Sequence, residues 1–148
     1  MKEISLCLLM TLCFSVSVFC QLDPVSWTVN TEVSDKEVTI TYTAAIDDGW
    51  YVYSQYIESD LGPIATSINL ETEGLTPIGK IEEVGDKKEG YDKLFEMNIS
   101  KYAKELSLVQ KIKRTEGMKN IKGYIEYMTC DNNRCLPPTE VDFDVEIK

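Results

Sequence analysis

The chain of 148 residues is long enough for about one domain with a hydrophobic core of its own. Its 15 Lys and Arg against 25 Asp and Glu give a formal net charge of −10, which argues against nucleic acids and anionic lipids as partners. The absence of histidine excludes histidine-dependent hydrolase triads, histidine-containing zinc sites and histidine acid–base catalysis.

The amino-terminal residues 1–20 predict a secretory signal peptide. Residues 4–19 contain nothing more polar than Ser and Thr, and this apolar run is shorter than the roughly 20 residues of a permanent membrane helix. We therefore expect removal of residues 1–20 on export, a single domain at 21–148 with no membrane span, and a periplasmic location. In an alternative interpretation Cys20 is the lipidated first residue of a lipoprotein, but Phe19 argues against this because such signals place a small residue there.

The region from residue 21 onward predicts an all-β domain, because apolar and polar residues alternate in short segments. In Val38 to Ile46, for example, Thr39, Thr41 and Thr43 point to one face and the apolar residues to the other. Strands at this spacing, without helices between them, predict an immunoglobulin-like antiparallel β-sandwich, with a β-barrel as the alternative. The other predicted strands are Trp27 to Val33, Trp50 to Tyr53, Ile64 to Leu70, Pro77 to Val84, Leu94 to Ile99, Leu106 to Ile112, Ile121 to Met128 and Val141 to Ile147.

Turn-forming residues separate the predicted strands. Gly and Asp supply the positive φ or the side-chain hydrogen bond that a tight turn needs. The one helical candidate, Ser100 to Glu105, is too short to form more than a turn. The predicted turns are Asp47-Asp48-Gly49, Glu73-Gly74, Gly85-Asp86 and Glu116-Gly117.

The cysteines are the most informative residues of the chain. Three of the five lie in the predicted signal, and the mature chain keeps Cys130 and Cys135. In an exported protein such a close pair is expected to be oxidised at least part of the time. A strand leads to Cys130 and four turn-forming residues follow, so the two Cα atoms are expected about 4.5 to 5.5 Å apart, within the span of a disulfide.

Two interpretations of this pair remain open on spacing alone. A disulfide that closes a loop of about six residues stabilises by only about 2 kcal/mol, against about 3 kcal/mol for a fifteen-residue loop. The short loop therefore suits disulfide exchange better than reinforcement, although an inert bond in a non-catalytic binding or assembly module is the alternative. A third possibility is capture of copper(I) by Cys130, Cys135 and Met128, because soft sulfur ligands suit that ion.

Two motifs resemble a known family. The segment Tyr127 to Pro138, which contains both cysteines, and the segment Asp48-Gly49-Trp50-Tyr51-Val52-Tyr53 are similar to the amino-terminal periplasmic domain of the bacterial thiol–disulfide reductase DsbD. The resemblance implies an immunoglobulin-like sandwich and an oxidoreductase-type electron relay without cofactor or metal ion. Electrons would enter from a thioredoxin-like protein or domain and leave to disulfide-bearing periplasmic client proteins. Because the sequence ends at Lys148 without a thioredoxin-like domain, we expect the donor to be a separate protein.

The resemblance also implies separate roles for the two cysteines. Cys135 matches the cysteine that forms the mixed disulfide with partners, and Cys130 matches its resolving partner. The local charges agree, because Arg134 would favour a thiolate at Cys135 whereas Asp131 would oppose ionisation of Cys130. Four residues separate the cysteines here, one fewer than in the best-known members, so the turn between them is expected to differ.

Further site residues follow from the resemblance. Tyr51 and Tyr53 match family tyrosines that lie beside the cysteine pair, and their spacing places both on one face of a strand. The family also has a cap loop with acidic residues that shields the pair, and Glu82 to Tyr91 is the expected counterpart. The candidate acids of this loop are Glu82, Glu83, Asp86 and Glu89.

Overall fold

The computed structural model describes residues 22–57 and 61–147, and within these ranges it consists of β-strands and loops without any helix. This confirms the predicted all-β class. The predicted signal peptide with Cys20 lies outside the described residues. Nothing in the described ranges has the length and hydrophobicity of a transmembrane helix. The strands are β1 Val25–Val33, β2 Glu37–Ile46, β3 Tyr51–Tyr53, β4 Ser67–Leu70, β5 Pro77–Asp92, β6 Met97–Lys113, β7 Asn120–Tyr127, β8 Thr129–Cys130 and β9 Thr139–Glu146.

The strands form two antiparallel sheets. The larger sheet has the order β1-β2-β6-β3-β8, with β5 along the other edge of β6, and the smaller sheet has the order β4-β7-β9. One edge of β6 pairs with β2 over residues 105–113 and with β3 over residues 101–102. The two sheets pack face to face, as the predicted immunoglobulin-like sandwich requires.

The core of the sandwich comes from the alternation that the sequence shows. Val38, Ile40 and Tyr42 of β2 are fully buried and face Ile121 and Ile125 of β7 in one hydrophobic cluster. Burial of each of the valine and isoleucine side chains contributes about 1.5 to 3 kcal/mol relative to exposure. The strand β2 therefore follows the predicted two-residue period along its length.

The strands β5 and β6 differ from the prediction. The turn predicted at Gly85-Asp86 does not exist, and neither does the turn predicted at Ser100 to Glu105, because both segments lie inside two long strands. The register shifts there instead: Gly85 pairs with Leu106 whereas Asp86 pairs with Ala103. Two extra residues of β6 thus form an irregular bulge opposite Gly85.

Glycine at position 85 is required by this bulge. A Cβ atom there would lie 2.2 Å from the carbonyl oxygen of Glu105. Opposite it, Lys104 adopts a φ of 62°, which a non-glycine residue rarely does. The bulge divides β6 into one half that pairs with β2 and another half that pairs with β3.

The connection between β7 and β8 positions the cysteine segment. The chain passes from the smaller to the larger sheet at Met128, between Tyr127 of β7 and Thr129 of β8. The hydroxyl of Thr129 donates a hydrogen bond of 3.0 Å to the carbonyl oxygen of Tyr51. This bond fixes β8 against β3, so that Cys130 lies directly opposite Tyr51.

Candidate functional site

Cys130 and Cys135 form a disulfide bond with Cα atoms 4.0 Å apart. The distance is shorter than the about 4.5 to 5.5 Å expected from the sequence. The backbone N–H of Leu136 donates to the carbonyl oxygen of Thr129 at 2.9 Å, immediately outside the pair. The cysteines therefore occupy a pair of positions without hydrogen bonds between them, where antiparallel strands approach most closely.

The two sulfur-bearing residues differ in exposure. Cys130 is fully buried, with 0% of its surface exposed, whereas Cys135 is partly exposed. The disulfide is therefore open to solvent only on the side of Cys135.

The turn between the cysteines is held by Asp131. Its Oδ1 atom accepts hydrogen bonds from the backbone N–H groups of Asn133 at 2.7 Å and Arg134 at 2.8 Å. These bonds keep the pKa of Asp131 below its usual value. The Nε atom of Arg134 lies 3.7 Å from Oδ2 of Asp131, and the guanidinium group lies 6.0 Å from the ring centroid of Trp50. The sequence analysis expected Arg134 to act on Cys135 and Asp131 to act on Cys130. In the structure the charges of Arg134 and Asp131 are instead paired with each other.

An apolar cluster surrounds the disulfide. Tyr53, Ile99 and Cys130 are its buried members. The ring of Phe95, from the turn between β5 and β6, meets the ring of Tyr53 edge to face with centroids 5.7 Å apart. The partly buried residues packed against the cluster are Ile57, Phe95, Met97, Met128 and Cys135.

The structure brings both predicted tyrosines to the disulfide. Tyr51 is the cross-strand neighbour of Cys130, and the side chain of Tyr53 packs in the same cluster as Cys130. The ammonium group of Lys101 lies 4.2 Å from the ring centroid of Tyr51. Burial and, to a lesser extent, the nearby charge of Asp92 raise the pKa of the Tyr53 hydroxyl.

The segment expected to form a cap loop is not a loop. Glu82 to Tyr91 lies within the edge strand β5. Its acids are placed along that strand, where Asp86 pairs with Lys88 at 2.7 Å and Glu89 with Lys87 at 2.5 Å. Glu82 is an exposed residue of that strand, and Asp86 and Glu89 are held by lysines of the same strand.

Glu83 has a defined structural role at the end of β3. Its carboxylate accepts hydrogen bonds from the hydroxyl of Ser54 at 2.7 Å and from the backbone N–H of Gln55 at 2.7 Å. The hydroxyl of Tyr102 donates to it at 3.0 Å. Glu83 therefore anchors the segment that follows Tyr53 rather than contacting the cysteines.

Asp92, which the sequence analysis missed, is a further acid near the site, because its charge acts on the buried hydroxyl of Tyr53. Asp92 is the last residue of β5 and is 5% exposed. Its Oδ2 atom lies 2.7 Å from Nζ of Lys101, and its Oδ1 atom accepts a hydrogen bond of 2.9 Å from the backbone N–H of Leu94. An Asp that precedes a short apolar turn was the available signal, but the prediction placed Leu94 at the start of a strand.

A cavity of about 410 Å³ separates the β5–β6 turn from the cysteine turn. Asp92, Lys101 and Asp131 contribute charged groups to its walls. Among residues 22–57 and 61–147, no group of three or more His, Cys, Asp and Glu side chains is arranged to hold a metal ion.

Asp92→Asn is expected to lower the free energy of unfolding by about 2 kcal/mol at pH 7. Burial alone would raise the pKa of Asp92, but the Lys101 ammonium and the backbone N–H groups of Leu94 and Phe95 outweigh it and hold this pKa below its usual value. A carboxylate with a lowered folded-state pKa stabilises the fold above its unfolded pKa of about 3.9, and loses that contribution as the pH falls through the folded pKa.

Urea unfolding at pH 7, 5 and 3 measures this effect. The difference between wild type and Asp92→Asn should be complete at pH 7 and 5 and should shrink at pH 3. Asp86→Asn is the matched control, because Asp86 also pairs with a lysine but at a much more exposed position than Asp92, and it should change unfolding little. A stability difference that is the same at all three pH values would contradict the prediction.

A protein-family model matches almost all of the described chain. The family model described as "Thiol:disulfide interchange protein DsbD, N-terminal" matches residues 21–147. No curated protein gives a significant match.

Solved structures show the same fold. The DsbD n-terminal domain of Neisseria meningitidis in the reduced form is 20% identical, with a TM-score of 0.54 over 81% of this chain and 84% of that chain. The N-terminal periplasmic domain of ScsB from Proteus mirabilis is 16% identical, with a TM-score of 0.63 over 84% of this chain and 47% of that chain. A complex between the DsbD N-terminal and PilB N-terminal domains of N. meningitidis matches at 20% identity and a TM-score of 0.50, covering 80% of both chains.

Proposed function

The chain belongs to the family of the amino-terminal domain of the thiol:disulfide interchange protein DsbD, and on that premise we propose that it relays electrons between a thioredoxin-like donor and disulfide-bearing client proteins of the periplasm. The observation that carries this proposal is the Cys130–Cys135 disulfide with one cysteine sealed in an apolar cluster and the other partly exposed. This asymmetry is what a two-step exchange requires, because one sulfur must meet the partner and the other must resolve the mixed disulfide.

Reduction of the protein begins at Cys135. A thiolate of the donor attacks Sγ of Cys135, the Cys130–Cys135 bond breaks, and the sulfur of Cys130 leaves as a thiolate that takes up a proton. The second thiol of the donor then attacks the donor sulfur of the mixed disulfide. The donor leaves oxidised, and two electrons and two protons have passed to Cys130 and Cys135.

Delivery to a client reverses these roles. The Cys135 thiolate attacks the client disulfide and forms a mixed disulfide, while one client sulfur leaves as a thiol. Cys130 then attacks Sγ of Cys135, which releases the second client thiol and restores the intramolecular bond. The Cα distance of 4.0 Å keeps Cys130 within reach of Cys135 throughout.

The surroundings of the pair support selective exchange. The ring of Phe95 packs on the buried Tyr53 at the outside of the cluster that contains Cys130, so small thiols meet an apolar barrier. The cavity beside the cysteine turn, with Asp92, Lys101 and Asp131 in its walls, offers polar contacts that a protein partner can use. We propose Tyr51 as a partly exposed residue beside the disulfide, Tyr53 as its buried support, and Glu83 as the residue that positions the segment after β3.

The reduction potential of the pair is expected to lie above about −300 mV, because a partly exposed disulfide in a short loop is easier to reduce than a structural one. Equilibration with glutathione and dithiothreitol buffers, followed by alkylation and mass measurement of free thiols, gives this value. A Cys130→Ser/Cys135→Ser protein should show no transition. A potential well below this limit would favour the alternative function, a non-catalytic binding or assembly module with an inert disulfide.

We also propose that residues 1–20 are removed on export, so that the periplasmic protein begins at Gln21. The apolar run of residues 4–19 and the absence of charge within it support this boundary. The intact mass of protein recovered from the periplasm should correspond to residues 21–148. A mass that retains Cys20 with acyl chains would show membrane anchoring instead.

A further inference from the structure

Sulfur-bearing side chains are concentrated at one place in the fold. Between residues 22 and 147 the sequence has five Cys and Met residues, namely Met97, Met118, Met128, Cys130 and Cys135. Four of them belong to the apolar cluster around the disulfide, and only Met118 packs elsewhere, against the main core. Two thioethers therefore lie against the same small cluster as the two redox cysteines.

The two methionines come from different parts of the chain. Met97 begins β6, whereas Met128 lies between β7 and β8, two residues before Cys130. Both are partly buried against Tyr53, Ile99 and Cys130. Their convergence is therefore a product of the tertiary fold and not of a local sequence motif.

One explanation for the two methionines is that their side chains only fill space in the apolar cluster. Methionine adapts to irregular gaps and makes favourable contacts with aromatic rings, and Tyr53 and Phe95 are both present. Leucine would fill the same space with similar hydrophobicity. A ligand role and a packing role are thus distinguished by replacing both methionines with leucine.

The chemistry of the four sulfurs selects one class of ion. Thiolate and thioether ligands are soft and favour copper(I), whereas structural zinc sites need four ligands of Cys, His or carboxylate type. The described part of the chain has no cluster of that second kind. The formal net charge of −10 also attracts cations to the surface.

We propose that the reduced protein binds one copper(I) ion through the sulfur atoms of Cys130 and Cys135, with Met97 and Met128 as additional thioether ligands. This inference rests on the proposed function at one point, because exchange with a thiol donor supplies the reduced form of the protein. In that step the disulfide gains two electrons and two protons. Binding of the ion then forms copper–sulfur bonds and releases the two thiol protons, with no change in the oxidation state of copper or sulfur.

One of the two methionines lies beside an open cavity. A cavity of about 600 Å³ opens beside the cluster, and Met97 and Ile99 line it together with the carboxylate-bearing Glu89. Met97 is therefore the thioether that borders an open cavity, whereas Cys130 is fully buried behind the cluster surface. In the disulfide form the cysteine sulfurs carry no thiolate, so binding should depend on the redox state.

Anaerobic titration of the full mature chain with copper(I), in the presence of bicinchoninate as a coloured competitor, tests the proposal. Reduced wild type should withhold about one equivalent from the competitor, and the disulfide form should withhold none. Cys135→Ser should bind at least about 100-fold more weakly, and Met97→Leu/Met128→Leu about 10-fold more weakly. Met118→Leu is the matched control and should bind as wild type does.

Two results would overturn the inference: reduced wild type that fails to withhold copper, or a double leucine variant that binds as tightly as wild type. X-ray absorption of the copper-loaded protein gives a second readout, because thioether ligands add sulfur scatterers beyond the two cysteines. Disulfide exchange by copper-free wild type is measured in parallel. Exchange without copper binding refutes only this inference, and copper binding without exchange refutes only the proposed function.

Discussion

A Cys130→Ser protein is expected to accumulate a covalent adduct with a thioredoxin-like partner, whereas a Cys135→Ser protein is not. Cys135 is partly exposed and Cys130 is fully buried, so only Cys135 presents its sulfur to a partner. Without Cys130 no neighbouring thiol resolves the mixed disulfide, and the adduct persists. The expected contrast is close to all or none.

The adduct is measured with a thioredoxin variant that keeps only its attacking cysteine, activated as a mixed disulfide with a coloured leaving group. Release of the coloured group gives the rate, and mass measurement under non-reducing conditions identifies the linked cysteine. The Cys130→Ser/Cys135→Ser protein controls for non-covalent association. Loss of the short-loop disulfide should cost only about 2 kcal/mol, and circular dichroism of each variant verifies that the fold is retained.

The two variants separate three outcomes. An adduct on Cys135 alone supports the assigned roles. An adduct on Cys130 in the Cys135→Ser protein would reverse them, and would require the cluster around Cys130 to open. Absence of any adduct in both variants would remove the main support for the electron relay and favour the binding module with an inert disulfide.

The sequence predicts the sandwich and the cysteine pair for the same physical reason, which is that both signals are local. Alternation in β2 follows directly from the two-residue period of a strand with one buried face. Likewise, Cys130 and Cys135 are five positions apart, so a single turn suffices to bring them together. The signals do not depend on the rest of the fold.

The long hairpin of β5 and β6 was not predictable in this way. Gly85 carries the same local signal as the turn glycines, yet its role is to permit a close approach to the carbonyl oxygen of Glu105. Only the pairing partner distinguishes a bulge from a turn. The true turn contains Leu94 and Phe95, and apolar residues such as these predict strand rather than turn.

The remaining site residues depend on contacts between distant segments. Asp92 is defined by its ion pair with Lys101, and Met97 by its packing on a cluster that includes Cys130. Neither residue has a local motif that links it to the cysteines. The acids predicted within Glu82 to Tyr91 therefore lie along the edge strand β5, and the prediction missed Asp92 at the end of that strand.

Phe95→Ala is expected to raise the rate at which glutathione reduces the disulfide by about tenfold, which corresponds to about 1.4 kcal/mol in activation free energy. Phe95 lies in the turn between β5 and β6, and its ring packs on Tyr53 and on the cluster that contains both cysteines. Removal of the ring opens the apolar covering. Access of the attacking thiolate is one of the factors that set the rate of exchange.

Leu94→Ala is the matched control, because Leu94 belongs to the same turn but is 40% exposed and is not part of the disulfide cluster. Glutathione should reduce this control at the wild-type rate. Thermal unfolding of both variants tests whether Phe95→Ala acts by destabilising the whole fold. If it does, the destabilised variant Asp92→Asn should also be reduced faster than wild type. Equal rates for Phe95→Ala and wild type would show that the ring contributes packing alone, and that the burial of Cys130 by the sheet is sufficient to protect the bond.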